Sequence, residues 1–357
     1  MQRCWTDLSR RCLLAASLAS LHWPAPALVV RKLQFPRDLG SHPDFAIEWW
    51  YLSGHLRAQQ RDFGFQLTFF RTRVPTTQAL RSRFAARQLI FAHAAVTDVD
   101  EQKLWHDQRI ARDGFGVAQA SEADTSLRLR DWSLAREAET YRARAGTNDF
   151  DFDLRLSQTQ ALLLQGAQGL SRKGPQQEQA SYYYSVPQLQ AEGTLRLQGH
   201  SMPVQGVAWL DHEWSRQLLY GQAVGWDWIG VNLLEGSALT AFQLRDANGR
   251  ALWAGGSFRG PAPGTATRAF GPSEVIFQPL RRWSSALTRA TYPVQWRVQT
   301  PLGSYMVKAL VDNQELDSRS STGAVYWEGL SELLDVQGKT VGSGYLEMTG
   351  YAEPLRL

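Results

Sequence analysis

Phe63-Gly64-Phe65-Gln66-Leu67-Thr68-Phe69 places an apolar side chain at every second position. That is the two-residue period of a strand with one face toward a core. Phe150, Phe152, Leu154 and Leu156 alternate in the same way with Asp151, Asp153 and Arg155. Val294, Trp296 and Val298 alternate with Gln295 and Arg297. Leu239 to Leu244, Asp246-Ala247-Asn248-Gly249 and Ala251 to Trp253 read as a hairpin closed by an Asn-Gly turn, and Val336-Gln337-Gly338-Lys339 as a second turn. Helical spacing is scarce; its best instance is Gln78 to Leu89, where Leu80, Phe84 and Gln88 are four apart. The fold class expected is all-β, with two barrels or sandwiches in tandem. The interruption at Gly199-His200-Ser201-Met202-Pro203 sets the expected domains at 28–205 and 206–357.

The 357 residues are 43% hydrophobic and carry 14 Trp, 15 Phe and 11 Tyr against 4 Met. Rigid aromatic surface on that scale points to apolar pockets or strand-rich layers. Beyond the first 30 residues no apolar run of about 20 exists, so no membrane-spanning helix is expected there.

The first 27 residues read as a separate object. Ser9-Arg10-Arg11-Cys12 precedes an apolar run from Leu13 to Leu21 and a Pro24-Ala25-Pro26-Ala27 tail, the layout of a cleavable secretory signal. The paired arginines suggest the twin-arginine route, and hence a periplasmic or secreted protein; the alternative is a short helix packed on the domain. Removing 1–27 leaves 35 Lys+Arg against 33 Asp+Glu. No basic stripe remains to track phosphates, so a nucleic-acid partner is not expected. Cys4 and Cys12, the only cysteines, both fall in this leader, which excludes a disulfide, a thiol nucleophile or a cysteine-ligated metal from the mature chain.

Nucleotide loops, a His-Glu-x-x-His helix and a Gly-x-Ser-x-Gly elbow are all missing. What stands out instead is a set of aromatic–acidic strings. On a strand, Glu48-Trp49-Trp50-Tyr51-Leu52-Ser53 puts Glu48, Trp50 and Leu52 on one face. In Trp209-Leu210-Asp211-His212-Glu213-Trp214-Ser215, the residues Trp209, Asp211 and Glu213 share a face opposite Leu210, His212 and Trp214. Gly225-Trp226-Asp227-Trp228 sets two indoles against a carboxylate. Tyr326-Trp327-Glu328-Gly329 and Gly344-Tyr345-Leu346-Glu347-Met348-Thr349-Gly350-Tyr351 complete the set, the last with Tyr345, Glu347, Thr349 and Tyr351 on one face. A carboxyl group among indoles keeps its proton more readily, and aromatic faces shelter a developing cation. Buried Asp, His and Glu also serve simply to satisfy backbone and indole N–H groups, and both readings stay open for Asp211, His212 and Glu213. Because neighbours on one strand point to opposite faces, these three are not expected to hold a metal. His93, in an apolar strand, reads as a hydrogen-bonded core histidine, while His42 and His55 lie near the first string without marking a pair.

Phe35-Pro36-Arg37-Asp38 with Glu48 to Tyr51, Tyr182-Tyr183-Tyr184-Ser185, Trp209 to Ser215, Gly225 to Trp228, Tyr326 to Gly329 and Gly344 to Tyr351 resemble, in order, the carotenoid 1,2-hydratase superfamily. The likeness is to its exported, lipocalin-like branch and runs from about residue 34 to the C-terminus. The resemblance implies two tandem lipocalin-like β domains with an apolar cavity or a cleft between them. It also implies water addition to an alkene without a cofactor. Asp211 would be the proton donor or its orienter, with His212 and Glu213 as partners. Trp50, Tyr183, Trp226, Trp228, Tyr345 and Glu347 would line or support the pocket. An export signal fits poorly with pigments made inside the cell, so the fold transfers and the carotenoid substrate does not. Two functions follow: a cofactor-free enzyme of hydratase, lyase or hydrolase type on a lipophilic small molecule, or a non-catalytic periplasmic carrier of a lipid-like ligand. Peripheral contact with a membrane or a transporter is compatible with either.

Overall fold

The computed structural model describes residues 31–355, so the expected leader and its cleavage near Ala27 lie outside the described residues. The described chain is all-β; two single 3-10 turns, Arg37–Leu39 and Pro75–Thr77, are its only helical pieces. A first antiparallel sheet runs in the order Lys103–Arg112, Gln88–Asp98, Arg61–Arg73, Ile47–Ala58, His200–Ser215, Ala180–Leu197, Phe150–Ser157, Thr140–Gly146, Trp132–Glu137, Ser126–Leu129, Ala118–Ala120, and curls into a near-closed barrel. A second antiparallel sheet is centred on Ala238–Arg245, Gly225–Leu233, Thr340–Met348 and Ala324–Leu334. The fold is thus two β domains, as the alternation predicts. The hairpin over 238–259 and the turn at 335–339 form where Asn-Gly and Gln-Gly stand.

Each domain fills its own interior. Phe63, Phe65, Leu67 and Phe69 point into the first core with Phe150, Phe152, Leu154 and Leu156; Ile229, Trp296, Trp327, Leu346 and Met348 fill the second. The intervening residues of the two segments fare differently. Arg155 is exposed and Asp151 and Asp153 are half-buried, whereas Gln66 and Thr68 are buried, because the second domain covers that side of strand Arg61–Arg73. A Cβ on Gly64 would sit 2.6 Å from the Tyr345 hydroxyl oxygen, a measure of how closely the two sheets meet.

Two expectations need correction. The division at 205/206 falls inside strand His200–Ser215, which pairs with Ile47–Ala58 and Ala180–Leu197 through Ser215. The chain changes sheets between Ser215 and Gly225; Pro203 does not end the strand, because there it is paired on one edge only, with Ala180–Leu197, before the pairing with Ile47–Ala58 starts at Gln205. Residues 78–87 form turns, not a helix: with Arg81, Arg83 and Arg87 exposed and Leu80 and Phe84 lacking a core to face, the four-residue spacing has nothing to pack on.

Candidate functional site

Strand His200–Ser215 is the central element, because its two faces serve different chambers. Toward the second domain it presents Trp209, Asp211 and Glu213; into the first barrel it sends Leu210, His212 and Trp214. The register sets Tyr51 and Ser185 on either side of Asp211, and Trp49 and Tyr183 on either side of Glu213. Across the gap, Trp228, Glu347 and Glu328 form one cross-strand row. The outward faces of the two sheets enclose a cavity of about 100 Å³, whose wall is largely Trp49, Phe70, Trp226, Trp228, Phe242 and Leu244.

Asp211 is buried and receives three hydrogen bonds. Trp209 Nε1 donates to Oδ1 at 2.7 Å, the Ser185 hydroxyl to the same oxygen, and the Tyr183 hydroxyl to Oδ2 at 2.8 Å. Trp228 Nε1 donates to the Tyr183 oxygen at 3.2 Å, linking the two sheets. Burial pushes the Asp211 carboxyl up to about 7, with the charge of Glu213 assisting and the three donors pulling back. Glu347 is also raised to about 7, by burial first and then by Asp211 and Glu213, against a hydrogen bond from Trp226. Glu328 is held well above the usual carboxylate range by burial and by Glu347 directly opposite. Burial first, and then the neighbouring Glu328 and Glu347 carboxylates, hold the Tyr51 phenol well above its ordinary range. Glu213 accepts from Ser181 and pairs with Lys173 at 2.9 Å, whose ammonium lies over the Phe242 ring.

Of the residues expected in the site, Asp211, Glu213, Tyr183, Trp226, Trp228 and Glu347 line the cavity, and Tyr345 packs in the aromatic cluster between the domains. Trp50 and His212 do not. They sit on the inward faces of their strands, and the Trp50 ring stacks on His212 at 4.4 Å inside the barrel. Trp49 and Tyr51 take the place expected of Trp50. Tyr351 also leaves the expected face: the strand ends at Met348, Gly350 turns with φ +74°, and the Tyr351 hydroxyl donates to Asp227. The cavity residues missed include Glu328, Tyr326, Trp49 and Lys173. The first three stand in the aromatic–acidic strings, so the signal was present; Lys173 lies in a loop without pattern. His93 is hydrogen-bonded at both ring nitrogens, to Tyr326 at 2.7 Å and Ser321 at 2.9 Å, at the cavity's edge.

Inside the barrel, His42, Glu48 and His212 have the spacing of metal ligands. Glu48 Oε1 accepts from His42 Nδ1 at 2.7 Å and His212 Nε2 at 2.8 Å, and Oε2 from Arg71 Nε at 2.8 Å and Ser41 at 2.9 Å. Every candidate ligand atom is thus engaged, and the guanidinium against Glu48 opposes a further cation, so the donor set suits a structural clamp. Burial disfavours charge on Glu48, but hydrogen bonds from His212 and His42 and the charge of Arg71 hold it well below the usual range. Burial lowers His212 to about 4, so its ring is neutral at pH 7.

Residues 26–351 match the AttH-like family. The chain belongs to it. This family is related to the carotenoid 1,2-hydratases, as the order of the strings suggests. A crystal structure from Nitrosomonas europaea assigned to AttH is 47% identical, with 92% of this chain and 99% of that one covered and a TM-score of 0.84. Kievitone hydratase from Nectria haematococca shares the fold of this AttH-like protein at 15% identity, over 91% and 94% of the two chains, with a TM-score of 0.71. CghA, whose structure with Sch210972 is also known, is 12% identical over 92% and 95%, with a TM-score of 0.54. No curated protein matches the chain.

The floor of the cavity depends on one glycine. A Cβ on Gly230 would lie 2.2 Å from the Trp228 indole, two residues back on the same face. Gly230→Ala is expected to displace that ring and cost about 1–3 kcal/mol through overpacking. A lower urea midpoint with unchanged slope is the expected reading; an unchanged midpoint would show that Trp228 has room to move.

Proposed function

We propose that this AttH-like protein is a cofactor-free hydratase-type catalyst that protonates an alkene of a lipophilic substrate held between its domains. One observation carries the reading: Asp211, Glu328 and Glu347, all with raised carboxyl pKa values, face a single aromatic cavity. A carboxyl near 7 is a competent acid at neutral pH and a competent base once its proton has left. In the proposed step the Asp211 O–H bond breaks as a C–H bond forms and the alkene π bond opens. The cation left on the adjacent carbon faces the indoles of Trp49, Trp226 and Trp228. Water then adds its oxygen to that carbon and gives its proton to a carboxylate, Glu347 or Asp211, for a net addition of one water. The kievitone hydratase and CghA likenesses support the fold of such a catalyst, and the Sch210972 complex of CghA supports a small organic ligand for it. The alternative is a carrier, favoured by the largely apolar wall.

The test is incubation of the protein with an acyclic carotenoid and with shorter isoprenoid alkenes in H2(18O). A hydroxylated product carrying one 18O and one new C–H bond is expected. Tight binding of the same alkenes, recovered unchanged across pH 5 to 8, would overturn catalysis and leave the carrier.

A further inference from the structure

The cavity opens at one end of the sheets. Ile47, Ser215 and Thr72 share a register row there, and strand Gly225–Leu233 begins and Thr340–Met348 ends beside them. The rim is half-buried or exposed, at Trp49, Gln217, Leu218, Thr322 and Leu355. The loop joining Arg61–Arg73 to Gln88–Asp98 leaves the sheet at this same end, because Arg73 pairs with Gln88. So does the turn after Arg112, which pairs with Leu89.

These two segments carry apolar side chains with no partner domain. Phe84 is 66% exposed and Phe115 52%, and their rings stack on each other at 5.5 Å; Leu80 and Val117 are exposed beside them in sequence. Arginines surround the pair. Arg112 lies over the Phe115 ring at 4.0 Å and Arg83 at 5.9 Å, while Arg81 and Arg87 are exposed on the same loop. From residue 72 to residue 97 the chain has four arginines and no acid. Asp113 is the one carboxylate in the neighbouring turn, and Glu122 and Asp124 farther along are paired with Arg37 and Arg136.

From this juxtaposition we infer that the Phe84–Phe115 tip seats the protein on an anionic membrane surface, with the cavity mouth turned toward the lipid. A projecting tip of two phenyl rings ringed by guanidinium groups suits the interface of a bilayer, where rings enter the acyl boundary and arginines meet phosphates. It is too small to hold a protein partner by itself, since stable interfaces bury about 800 Å² on each side. The orientation would let an apolar ligand pass between bilayer and cavity without crossing water.

Vesicle co-sedimentation with the purified protein tests this. Vesicles containing phosphatidylglycerol should retain the protein at low salt, and pure phosphatidylcholine vesicles should not. Arg81→Glu/Arg83→Glu should weaken partition roughly 25-fold or more, given about fivefold per charge near such a surface. Phe84→Ser/Phe115→Ser should weaken it at every salt concentration while leaving the melting temperature unchanged. Wild-type protein that ignores phosphatidylglycerol, or variants that sediment like wild type, would overturn the inference. So would a wild-type dimer without vesicle affinity that the Phe variant turns into a monomer, which would mark a protein interface. Retention of an isoprenoid alkene measured without vesicles reports on the cavity alone, so the two proposals fail separately.

Discussion

Asp211→Asn should remove turnover by about two to four orders of magnitude, the usual contribution of a positioned acid, while keeping the fold. Asparagine preserves an oxygen for Trp209 Nε1 and a shape that fits between Ser185 and Tyr183. Stability should change in the opposite sense to activity. The native carboxyl is raised to about 7, above its unfolded value near 3.9. Wild-type protein therefore loses stability as pH rises from about 4 to about 7, where the unfolded chain has released a proton that the native state retains. The variant is free of this cost, so its advantage should grow over that window to at most about 4 kcal/mol and stay constant above it. Urea midpoints of both proteins at pH 5 and pH 8 measure this. A variant less stable than wild type at pH 8, with ligand retention intact, would mark Asp211 as a structural hydrogen-bond acceptor.

Glu48→Gln should be the most damaging single change to folding. Glu48 is fully buried and accepts from Arg71, both histidines and Ser41. The amide turns one acceptor into a donor facing other donors and leaves Arg71, itself 1% exposed, without its counter-charge. Breaking a buried pair in this manner costs about 3–5 kcal/mol. Because the native Glu48 carboxyl lies well below its unfolded value, the stabilisation is present above pH 4.3 and fades as pH falls toward the native value. The gap between wild type and variant should therefore narrow in acid. A gap independent of pH between 3 and 7 would show that packing, not charge, is what was lost.

The alternation within each string was enough to separate Asp211 and Glu213 from His212, and Trp226 and Trp228 from Asp227, since strand geometry leaves only two faces. It could not say which face meets the other domain. For Glu48 to Tyr51 the carboxylate was the natural guide, yet it belongs to the barrel's inner clamp, and Trp49 and Tyr51 supply the cavity wall. Glu328 was visible in its string but became meaningful only through its cross-strand position opposite Glu347. Lys173 reaches Glu213 from a loop whose path no local pattern encodes. The residues 78–87 misled for a related reason: a helical period without a surface to bury is a coincidence of spacing.

The chamber described above borrows its walls from the outsides of a barrel and a second sheet, each of which already has a filled core of its own. Residues that hold each domain together and residues that face the chamber alternate along the same strands, yet they belong to separate sets. Selection can therefore exchange Trp49, Phe70, Phe242 or Leu244 for other side chains without disturbing either core. Such an architecture is evolvable: new molecular tastes can arise by repainting one surface while the scaffold beneath stays intact.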